Sequence, residues 1–381
     1  MAVDFNKIPS PCFVLDEKLL IKNLQLLEYV RRKAGIEIIV ALKGYAFWYT
    51  FPLIKKYLDG ATASSLNEAI LINEEMGVKA HTYAPVYSER EFGDMVKLSS
   101  HITFNSLTMW EKYKYLVPGL NAKVSCGLRI NPEYSEVETP FYNPGSPESR
   151  LGIKAGLLGN KLPQGIEGLH FHLLCENDSY VLERTLEKTE MKFSGLFRQV
   201  RWLNMGGGHL ITHPDYDVEH LITLLKDFKK RYPNIESIIL EPGEAIGYRT
   251  GYLVADIEDI IEHDAVKIAM LNVSFAAHMP DCLEMPYKPA ILGASDKPTP
   301  YKYRMGGTTC LAGDFMGMGD YFFPKPLQPG DKIIFEDMIH YTMVKTLFFN
   351  GVKHPDIGVW TEDKYKLLRT FNYKDYKFRL S

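Results

Sequence analysis

The chain has 381 residues, of which 46% are hydrophobic and 24% are charged, and its net charge is −3. This length and composition indicate a soluble globular protein of about two domains. The slight negative charge and the lack of a basic cluster argue against a nucleic-acid-binding protein, and they permit a cationic substrate.

The cysteines and the first residues give an expectation about location. The five cysteines are scattered and form no C-x-x-C pair; they are Cys12, Cys126, Cys175, Cys282 and Cys310. Such a set favours free thiols in a reducing compartment over disulfides or a zinc ribbon. The first residues do not resemble a secretion signal, and no apolar run of about eighteen residues follows. We therefore expect a cytoplasmic protein without a membrane partner.

The N-terminal part of the chain predicts a strand, a helix and a second strand. Residues 10–16 have the pattern of a short edge strand that ends in the helix N-cap Asp16. Apolar residues at helical spacing continue to about Ala34. The β-branched run of residues 36–42 predicts a strand that is buried on both faces and ends at Lys43.

A regular alternation of strands and helices follows. Seven further strands are predicted at residues 60–65, 79–85, 101–106, 123–131, 166–172, 200–208 and 237–243. Helices are predicted at about residues 49–58, 66–76, 88–98, 107–116, 178–197 and 216–231. Eight such strands with intervening helices predict a (β/α)8 TIM-type barrel over residues 12–246. A doubly wound open sheet is less consistent because no G-x-G-x-x-G follows an early strand.

Two segments depart from this alternation. Residues 131–165 are rich in proline, glutamate and serine, which predicts a long loop over the barrel mouth, of the kind that often forms a lid. After about residue 248 the helical pattern ends, and further strands are predicted at 252–258, 265–273, 332–337 and 341–349. Residues 1–11 and 247–381 are therefore predicted to form a second, mostly β domain, and it is left open whether the N-terminal edge strand also joins this domain.

Candidate functional residues lie at the strand ends, because barrel enzymes carry their chemistry there. Lys43 ends the first barrel strand, and an amine in a dry site has a lowered pKa and can form a Schiff base. The alternative is a lysine that only marks where the strand meets water. The seventh strand ends in Gly206, Gly207 and Gly208, whose unobstructed amides suit a phosphate group.

Histidines and a carboxylate end the sixth and eighth strands. His170 and His172 lie on the same side of their strand, and such a pair can bind metal, pack in the core or assist a cofactor. Glu241 can serve as a general base, a metal ligand or the partner of a protonated ring nitrogen. A lysine, a glycine turn, a histidine and a carboxylate on one rim match the requirements of pyridoxal 5′-phosphate.

On these residues the chain resembles the fold-type III pyridoxal-phosphate decarboxylases, the alanine-racemase-like group that includes ornithine and diaminopimelate decarboxylases. The similar motifs follow the family order along nearly the whole chain. They are Ala41-Leu42-Lys43, Gly168-Leu169-His170-Phe171-His172, Asn204-Met205-Gly206-Gly207-Gly208, Glu241-Pro242-Gly243, Gly307-Thr308-Thr309-Cys310 with Asp314, and Tyr341-Thr342.

The resemblance implies roles for the matched barrel residues. Lys43 would form the Schiff base with the cofactor, His172 would stack on its ring and Glu241 would pair with its pyridine nitrogen. Arg129 occupies a family arginine position. The residues expected around the phosphate are Gly206, Gly207, Gly208, Gly243 and Tyr341.

The resemblance also implies a homodimer, because the family's active sites lie at a subunit interface. Cys310 and Asp314 would then reach the cofactor of the second subunit, and Cys310 would protonate the carbanion left by CO2. From the residues alone, without the resemblance, a small buried side chain is the preferred interpretation of Cys310.

Two departures from the family pattern narrow the expected substrate. Glu244 follows Gly243 where the family has a phosphate-binding arginine, and Leu311 follows Cys310 where it has an acidic residue for the far end of the substrate. Both departures, with residues 278–287, are similar to the carboxynorspermidine and carboxyspermidine decarboxylases. This branch implies α-decarboxylation of a carboxylated polyamine to norspermidine or spermidine in polyamine biosynthesis.

A long cationic substrate requires acidic or aromatic surroundings. The candidate substrate-binding residues are Asp314, Glu284, Asp281, Glu176 and His278. For the acids, a solvated or structural role is equally open.

Other functions also remain open. The chain can be a diaminopimelate or other basic amino-acid decarboxylase of the same family, or an inactive relative that only carries the cofactor. From another class, it can be a barrel metallohydrolase that uses His170, His172, His209 and Glu241. The decarboxylase interpretation requires no metal.

Overall fold

The computed structural model describes residues 3–121, 123–139, 142–264 and 266–381. Pro140 of the predicted loop and Ala265 of a predicted strand lie outside these ranges. The chain divides into two compact units, one of residues 23–246 and one of residues 1–22 with 247–381. None of the described helices is both long and apolar enough to cross a lipid bilayer.

The elements of the described chain are as follows. The strands are β1 (Cys12–Asp16), β2 (Glu37–Ala41), β3 (Gly60–Ala63), β4 (Ala80–Tyr83), β5 (Ser99–Phe104), β6 (Ser125–Asn131), β7 (Ile153–Lys154), β8 (Gly168–His170), β9 (Trp202–Asn204), β10 (Ser237–Leu240), β11 (Gly251–His263), β12 (Val266–Leu271), β13 (Tyr301–Gly306), β14 (Tyr321–Phe323), β15 (Lys332–Glu336), β16 (Asp356–Thr361) and β17 (Lys364–Arg369). The α-helices are α1 (Glu17–Ala34), α2 (Phe51–Ile54), α3 (Leu66–Leu71), α4 (Glu89–Leu98), α5 (Leu107–Tyr113), α6 (Leu116–Leu120), α7 (Ala155–Leu158), α8 (Ser179–Phe197), α9 (Val218–Arg231), α10 (Glu244–Gly247), α11 (Phe275–His278), α12 (Pro280–Glu284), α13 (Tyr341–Lys345) and α14 (Tyr373–Leu380).

Eight parallel strands close into a barrel in the first unit. Their order is β5-β4-β3-β2-β10-β9-β8-β6, and β6 pairs with β5 to complete the circle. The short strand β7 also pairs with β6. The predicted (β/α)8 barrel is therefore confirmed. Several strands end earlier than predicted, so that Lys43, His172 and Glu241 lie in the loops just after β2, β8 and β10.

Side-chain caps fix where the barrel helices begin. The Ser65 hydroxyl accepts the Glu68 N–H at 3.2 Å at the start of α3. Asp178 accepts the Val181 N–H at 2.9 Å at the start of α8. Each cap satisfies a backbone donor that has no partner within the first turn. The loop between a strand and its helix thus has a defined end.

Two glycines make room for a tryptophan beside the barrel strands. The indole of Trp202 in β9 lies against Gly127 of β6 and Gly168 of β8, and a Cβ at Gly168 would fall 1.9 Å from its ring. Trp202 is almost fully buried and donates its Nε1–H to the Ser125 hydroxyl at 2.8 Å. A small polar cavity adjoins the indole, and its lining residues are Thr62, His81, Thr82, Tyr83, His101, Thr103, Trp202, Asn204 and Glu241.

The second unit is built on a mixed sheet. Its strands follow the order β14-β13-β12-β11-β1-β16-β17, and β15 also pairs with β11. Strand β1 pairs antiparallel with β11 and parallel with β16. The predicted domain boundary at residue 12 therefore moves to a position after β1, because the hydrogen bonds of this strand belong to the second sheet.

One predicted strand of the second unit is wrong. Residues 341–349 begin with helix α13. The β-branched and aromatic residues suggested a strand, but side-chain contacts specify a turn of helix. The Thr342 hydroxyl donates to Asp281 at 2.7 Å, and the Thr346 hydroxyl donates to the Thr342 carbonyl at 3.0 Å.

The predicted lid is anchored to α8 in its described part. Arg184 of α8 donates two hydrogen bonds of 2.8 Å to Glu136, and this pairing lowers the pKa of Glu136 to about 2. Glu133 pairs with Lys154 at 2.9 Å and with Lys192 of α8 at 3.2 Å. The loop therefore has fixed attachment points beside the barrel.

The Trp202 contact gives a stability prediction. The variant Gly168→Ala should lower the Tm by about 5 °C or more, because the added methyl group overlaps the indole and forces the packing to shift. The matched control is Gly195→Ala in α8, where an added Cβ meets nothing within 4 Å. Alanine favours a helix, so this control should keep or raise the Tm. Equal Tm values in thermal unfolding would contradict the packing described.

Candidate active site

The amine of Lys43 meets a histidine just beyond the barrel strands. Its Nζ lies 3.0 Å from Nε2 of His172. Solvent reaches the side chain of Lys43, but protein atoms surround it closely. This desolvation, followed by the positive charge of Arg129, lowers the pKa of the Lys43 amine. The environment therefore favours a neutral, nucleophilic amine.

The imidazole of His172 is held from its other side by the glycine turn. Its Nδ1 lies 3.1 Å from the Gly207 carbonyl oxygen and 3.0 Å from the Gly207 amide nitrogen. When the Gly207 N–H donates to Nδ1, the proton of the ring is on Nε2 and faces a neutral Lys43 amine; when Lys43 is charged and donates to Nε2, the proton is on Nδ1 and faces the Gly207 carbonyl. Burial, followed by the charge of Lys43, places the pKa of His172 well below its ordinary value. The ring is therefore a neutral, flat surface.

The glycine turn after β9 tolerates no side chains. Gly206 and Gly208 have left-handed backbones with φ of 73° and 84°. A Cβ at Gly207 would fall 2.2 Å from the Glu241 carbonyl oxygen, and one at Gly208 would fall 2.0 Å from the Leu174 carbonyl oxygen. The Gly206 amide already donates to Asn204. The turn thus depends on glycine for close backbone approach as well as for its amides.

Glu241 is a mostly buried carboxylate with polar neighbours. Asn204 donates to its Oε1 at 2.6 Å, and Nε2 of His170 lies 3.8 Å from its Oε2. Burial raises the pKa of Glu241, whereas the hydrogen bond from Asn204 and the charge of Lys43 act in the opposite direction. The carboxylate therefore lies within the electrostatic influence of the amine.

Arg129 is hydrogen-bonded to the backbone of His172. Its Nη2 donates to the His172 carbonyl at 3.1 Å, and its guanidinium lies 4.7 Å from the centroid of the Tyr83 ring. Arg129 is almost fully buried. The fixed charge of its guanidinium contributes to the lowered pKa values of Lys43 and His172.

The residues of the hydrolase hypothesis are not arranged as metal ligands. In the described ranges, no group of three or more His, Cys, Asp or Glu side chains is placed to hold a metal ion. His170 and His209 are buried, and neither ring has a hydrogen-bond partner among the described residues. Burial holds the pKa of His209 at about 4 and that of His170 well below its ordinary value, so both rings are neutral.

Gly243 brings the loop after β10 against the Lys43 loop. A Cβ at Gly243 would fall 3.0 Å from the Gly44 Cα and 3.1 Å from the Ala41 carbonyl oxygen. A Cβ at Gly44 would likewise fall 3.0 Å from the Gly243 Cα. The two backbones therefore touch, and this contact fixes the loop that carries Lys43.

In the second unit, Asp314 holds the loop that carries Cys310. Its Oδ1 accepts the Ala276 N–H at 3.0 Å, and its Oδ2 accepts the N–H and the hydroxyl of Thr309 at 2.9 and 2.6 Å. The carboxylate is buried and both oxygens are occupied by these bonds. Cys310 itself is exposed, and its amide donates to the Asn350 side chain at 3.2 Å.

The other predicted substrate-binding residues differ in their surroundings. Asp281 is buried and accepts hydrogen bonds from the hydroxyls of Tyr287 at 2.8 Å and Thr342 at 2.7 Å. His278 is buried and accepts the Ser274 N–H at 3.1 Å. Glu284 forms an ion pair with Lys345. Glu176, in the barrel unit, is exposed and has a left-handed backbone with φ of 53°.

The predicted site residues therefore fall into two groups. Lys43, Arg129, His172, Glu241 and the three glycines come together around the carboxyl ends of the barrel strands. Cys310, Asp314, Asp281, Glu284 and His278 lie in the second unit, as does Tyr341, the first residue of α13. The sequence places Asn204 in a family-like motif but assigns it no role, whereas in the structure it contacts both Glu241 and the glycine turn. An asparagine at a strand end, two residues before a glycine, was the signal.

Comparison with known proteins agrees with this geometry. The family model described as "Pyridoxal-dependent decarboxylase, C-terminal sheet domain" matches residues 12–339. The chain is 50% identical to the carboxyaminopropylagmatine decarboxylase of Synechocystis, over 98% of this chain and 96% of that protein. It is 43% identical to the carboxynorspermidine/carboxyspermidine decarboxylase of Campylobacter jejuni, over 98% and 99% of the two chains. The solved structure of carboxynorspermidine decarboxylase from Campylobacter jejuni, complexed with norspermidine, superposes with a TM-score of 0.89 at 42% identity, over 98% of this chain and 100% of that one.

Proposed function

The chain belongs to the pyridoxal-dependent decarboxylases, and we propose that it removes the α-carboxylate from a carboxylated polyamine in the reducing cytoplasm. The observation that carries this proposal is the placement of a Lys43 amine, with a lowered pKa, 3.0 Å from a neutral His172. Glu241 and the glycine turn lie beside this pair.

The barrel residues fit pyridoxal phosphate. Lys43 supplies an amine for the aldehyde, His172 supplies a neutral ring to pack on the cofactor ring, and Glu241 supplies a buried carboxylate for the ring nitrogen. Gly208 belongs to a turn in which a Cβ would overlap neighbouring backbone atoms. Its amide has no hydrogen-bond partner in the described structure and can donate to the phosphate of the cofactor. When bound, the cofactor withdraws the electrons that the departing CO2 leaves behind.

Each side chain then has a defined task. The lowered pKa of Lys43 keeps a fraction of the amine neutral, and only this form is nucleophilic. His172 remains uncharged and therefore does not repel the amine. Glu241 holds a proton at the ring nitrogen, which requires the carboxylate to be ionised. Cys310 supplies the proton to the carbon that has lost its carboxylate.

The Lys43 assignment can be tested directly. Lys43→Ala protein should lose the visible absorbance of bound pyridoxal phosphate, because the covalent link requires this amine. Borohydride reduction of the wild-type protein should add the mass of the cofactor to the peptide that contains Lys43. Lys161→Ala, at an exposed position of the same unit, is the control and should bind as wild type does. Cofactor trapped on any other lysine would rule out the assignment.

A specific observation favours a second substrate of the same class. The 50% identical relative is named for carboxyaminopropylagmatine, whose agmatine part ends in a guanidinium. The 43% identical relative is named for carboxynorspermidine and carboxyspermidine, which end in an ammonium. These substrates share a carboxylated α-amine and a long cationic chain. Diaminopimelate instead carries a second carboxylate, which would require a cationic partner.

The substrate class is tested by CO2 release from purified enzyme. We expect kcat/KM for at least one of carboxynorspermidine, carboxyspermidine and carboxyaminopropylagmatine to exceed that for diaminopimelate by about 100-fold or more, because a distal carboxylate would be buried without a partner. The ranking of the three polyamines identifies the terminal group. A higher kcat/KM for diaminopimelate or arginine would overturn the polyamine proposal.

We also propose a homodimer in which each active site uses the exposed Cys310 of the second subunit. The support is that Asp314 and Asn350 fix a loop that presents Cys310 to solvent. Mixing inactive Lys43→Ala and Cys310→Ala proteins should restore about a quarter of wild-type activity, since half of the dimers are mixed and have one complete site each. Differently tagged chains confirm exchange, and continued inactivity after exchange would exclude shared sites.

A further inference from the structure

Asn204 connects two parts of the site through a single side chain. Its Oδ1 accepts the Gly206 N–H at 2.8 Å, and its Nδ2 donates to Oε1 of Glu241 at 2.6 Å. Asn204 is the last residue of β9, where it is 4% exposed, so the strand holds its backbone firmly. The Glu241 amide in turn donates to the Gly206 carbonyl at 2.7 Å. Three hydrogen bonds therefore join β9, the glycine turn and the loop after β10.

The two contacts determine the orientation of the amide. The Gly206 N–H can only donate, so the oxygen of Asn204 must face it. The nitrogen must then face Glu241, and a carboxylate oxygen is a suitable acceptor when it is ionised. An aspartate at this position would keep the bond to Gly206 but would place a second acceptor against Glu241. The pattern thus requires a side chain that both accepts and donates.

Other charged and titratable groups also face Glu241. Lys43 and Arg129 contribute positive charge, and the neutral ring of His170 lies 3.8 Å from Oε2. The polar cavity beside Glu241 is also lined by His81, His101 and Tyr83. Burial lowers the pKa of His81 and His101, and it raises the pKa of Tyr83. These three are neutral near pH 7. A side-chain hydrogen bond from Thr62 also acts to lower the pKa of Glu241, so Asn204 is the neutral donor that reaches both the carboxylate and the glycine turn.

We propose that Asn204 is a positioning residue that holds Glu241 as an oriented, ionised acceptor for the ring nitrogen of the cofactor and couples it to the glycine turn. The inference rests on the proposed function for the role of Glu241. The Asn204–Glu241 pairing itself stands on the distances and burial alone. It can therefore be tested in the apoprotein as well as in the active enzyme.

The apoprotein test uses Asn204→Asp. This change keeps the acceptor for Gly206 and places two carboxylates face to face, so they retain a shared proton and the pKa of the pair is raised in the folded chain. The loss of stability should be small near pH 5 and should grow as the pH rises to 8, with a fall in Tm of about 5 °C or more at pH 8. Asn160→Asp, at an exposed position of the same unit, is the control for added charge and should show no such pH dependence.

A reciprocal exchange identifies the partner. In the double variant Asn204→Asp with Glu241→Gln, the donor and the acceptor trade places and the hydrogen bond is restored. Its Tm at pH 8 should recover most of the loss seen with Asn204→Asp. Its turnover should stay low because the side chain at position 241 no longer carries a charge. Recovery of stability without recovery of turnover would show that the hydrogen bond between positions 204 and 241 affects folding separately from the role of the Glu241 charge in turnover.

Turnover then tests whether Asn204 acts through Glu241. Asn204→Ala should reduce kcat by about 10–100-fold in the wild-type background, the loss expected when a charged acceptor loses its donor. In the Glu241→Gln background the same change should reduce kcat by less than about 3-fold.

The outcomes distinguish this inference from the proposed function. The role of Asn204 would be overturned if Asn204→Ala reduced kcat equally in both backgrounds. It would also be overturned if the Tm of Asn204→Asp showed no more pH dependence than that of Asn160→Asp. Either result would leave the decarboxylase assignment intact. Absence of cofactor binding in the wild-type protein would instead overturn the function, and the apoprotein cycle would still measure the pairing.

Discussion

The contact between the Lys43 amine and the His172 ring is the interaction on which the rest of the site depends. It places an amine 3.0 Å from an imidazole, and two positive charges at this distance would repel each other. The ring stays neutral because it is buried and because the charge of Lys43, when present, and that of Arg129, which is bonded to the His172 backbone, lower the pKa of the imidazole. Burial and the charge of Arg129 also lower the pKa of Lys43. One arrangement thus gives a flat uncharged ring and a neutral amine.

Backbone contact, rather than side-chain packing, sets the positions of these groups. Gly206–Gly208 lie against the loops after β8 and β10, and the Gly44–Gly243 contact brings the loop after β2 against the loop after β10. No residue with a Cβ could occupy these positions without moving a loop. The functional side chains can therefore lie beyond the ends of the strands and still be rigid, which is what a preorganised site requires.

The sequence was sufficient to predict the barrel, because buried β-branched strands and helical periodicity are local signals. It also made Lys43, Glu241 and the glycines candidates, since residues at strand ends stand out from the pattern, and the fold brings these candidates together. The helix at Tyr341–Lys345 was missed because Thr342 is oriented by Asp281, which is distant in sequence. The contacts of Asn204 and Asp314 were missed for the same reason: each joins segments that become neighbours only after folding.

The buried acids limit how a cationic substrate can be recognised. Asp314 uses both oxygens to hold the loop that carries Cys310. Asp281 accepts hydrogen bonds from Tyr287 and Thr342 at Oδ2 only, and its Oδ1 has no hydrogen-bond partner among the described residues. The existing hydrogen bonds of such a carboxylate stabilise the fold. If it turned to bind a flexible amine, the donors that it now accepts from would be left buried and unpaired. Both oxygens of Asp314 thus stabilise the loop that carries Cys310, whereas Asp281 keeps one buried acceptor atom that has no partner among the described residues. The roles of Asp281, Asp314, Glu176 and Glu284 in binding a substrate tail stay predictions, and Glu176 and Glu284 are the exposed acids of this set.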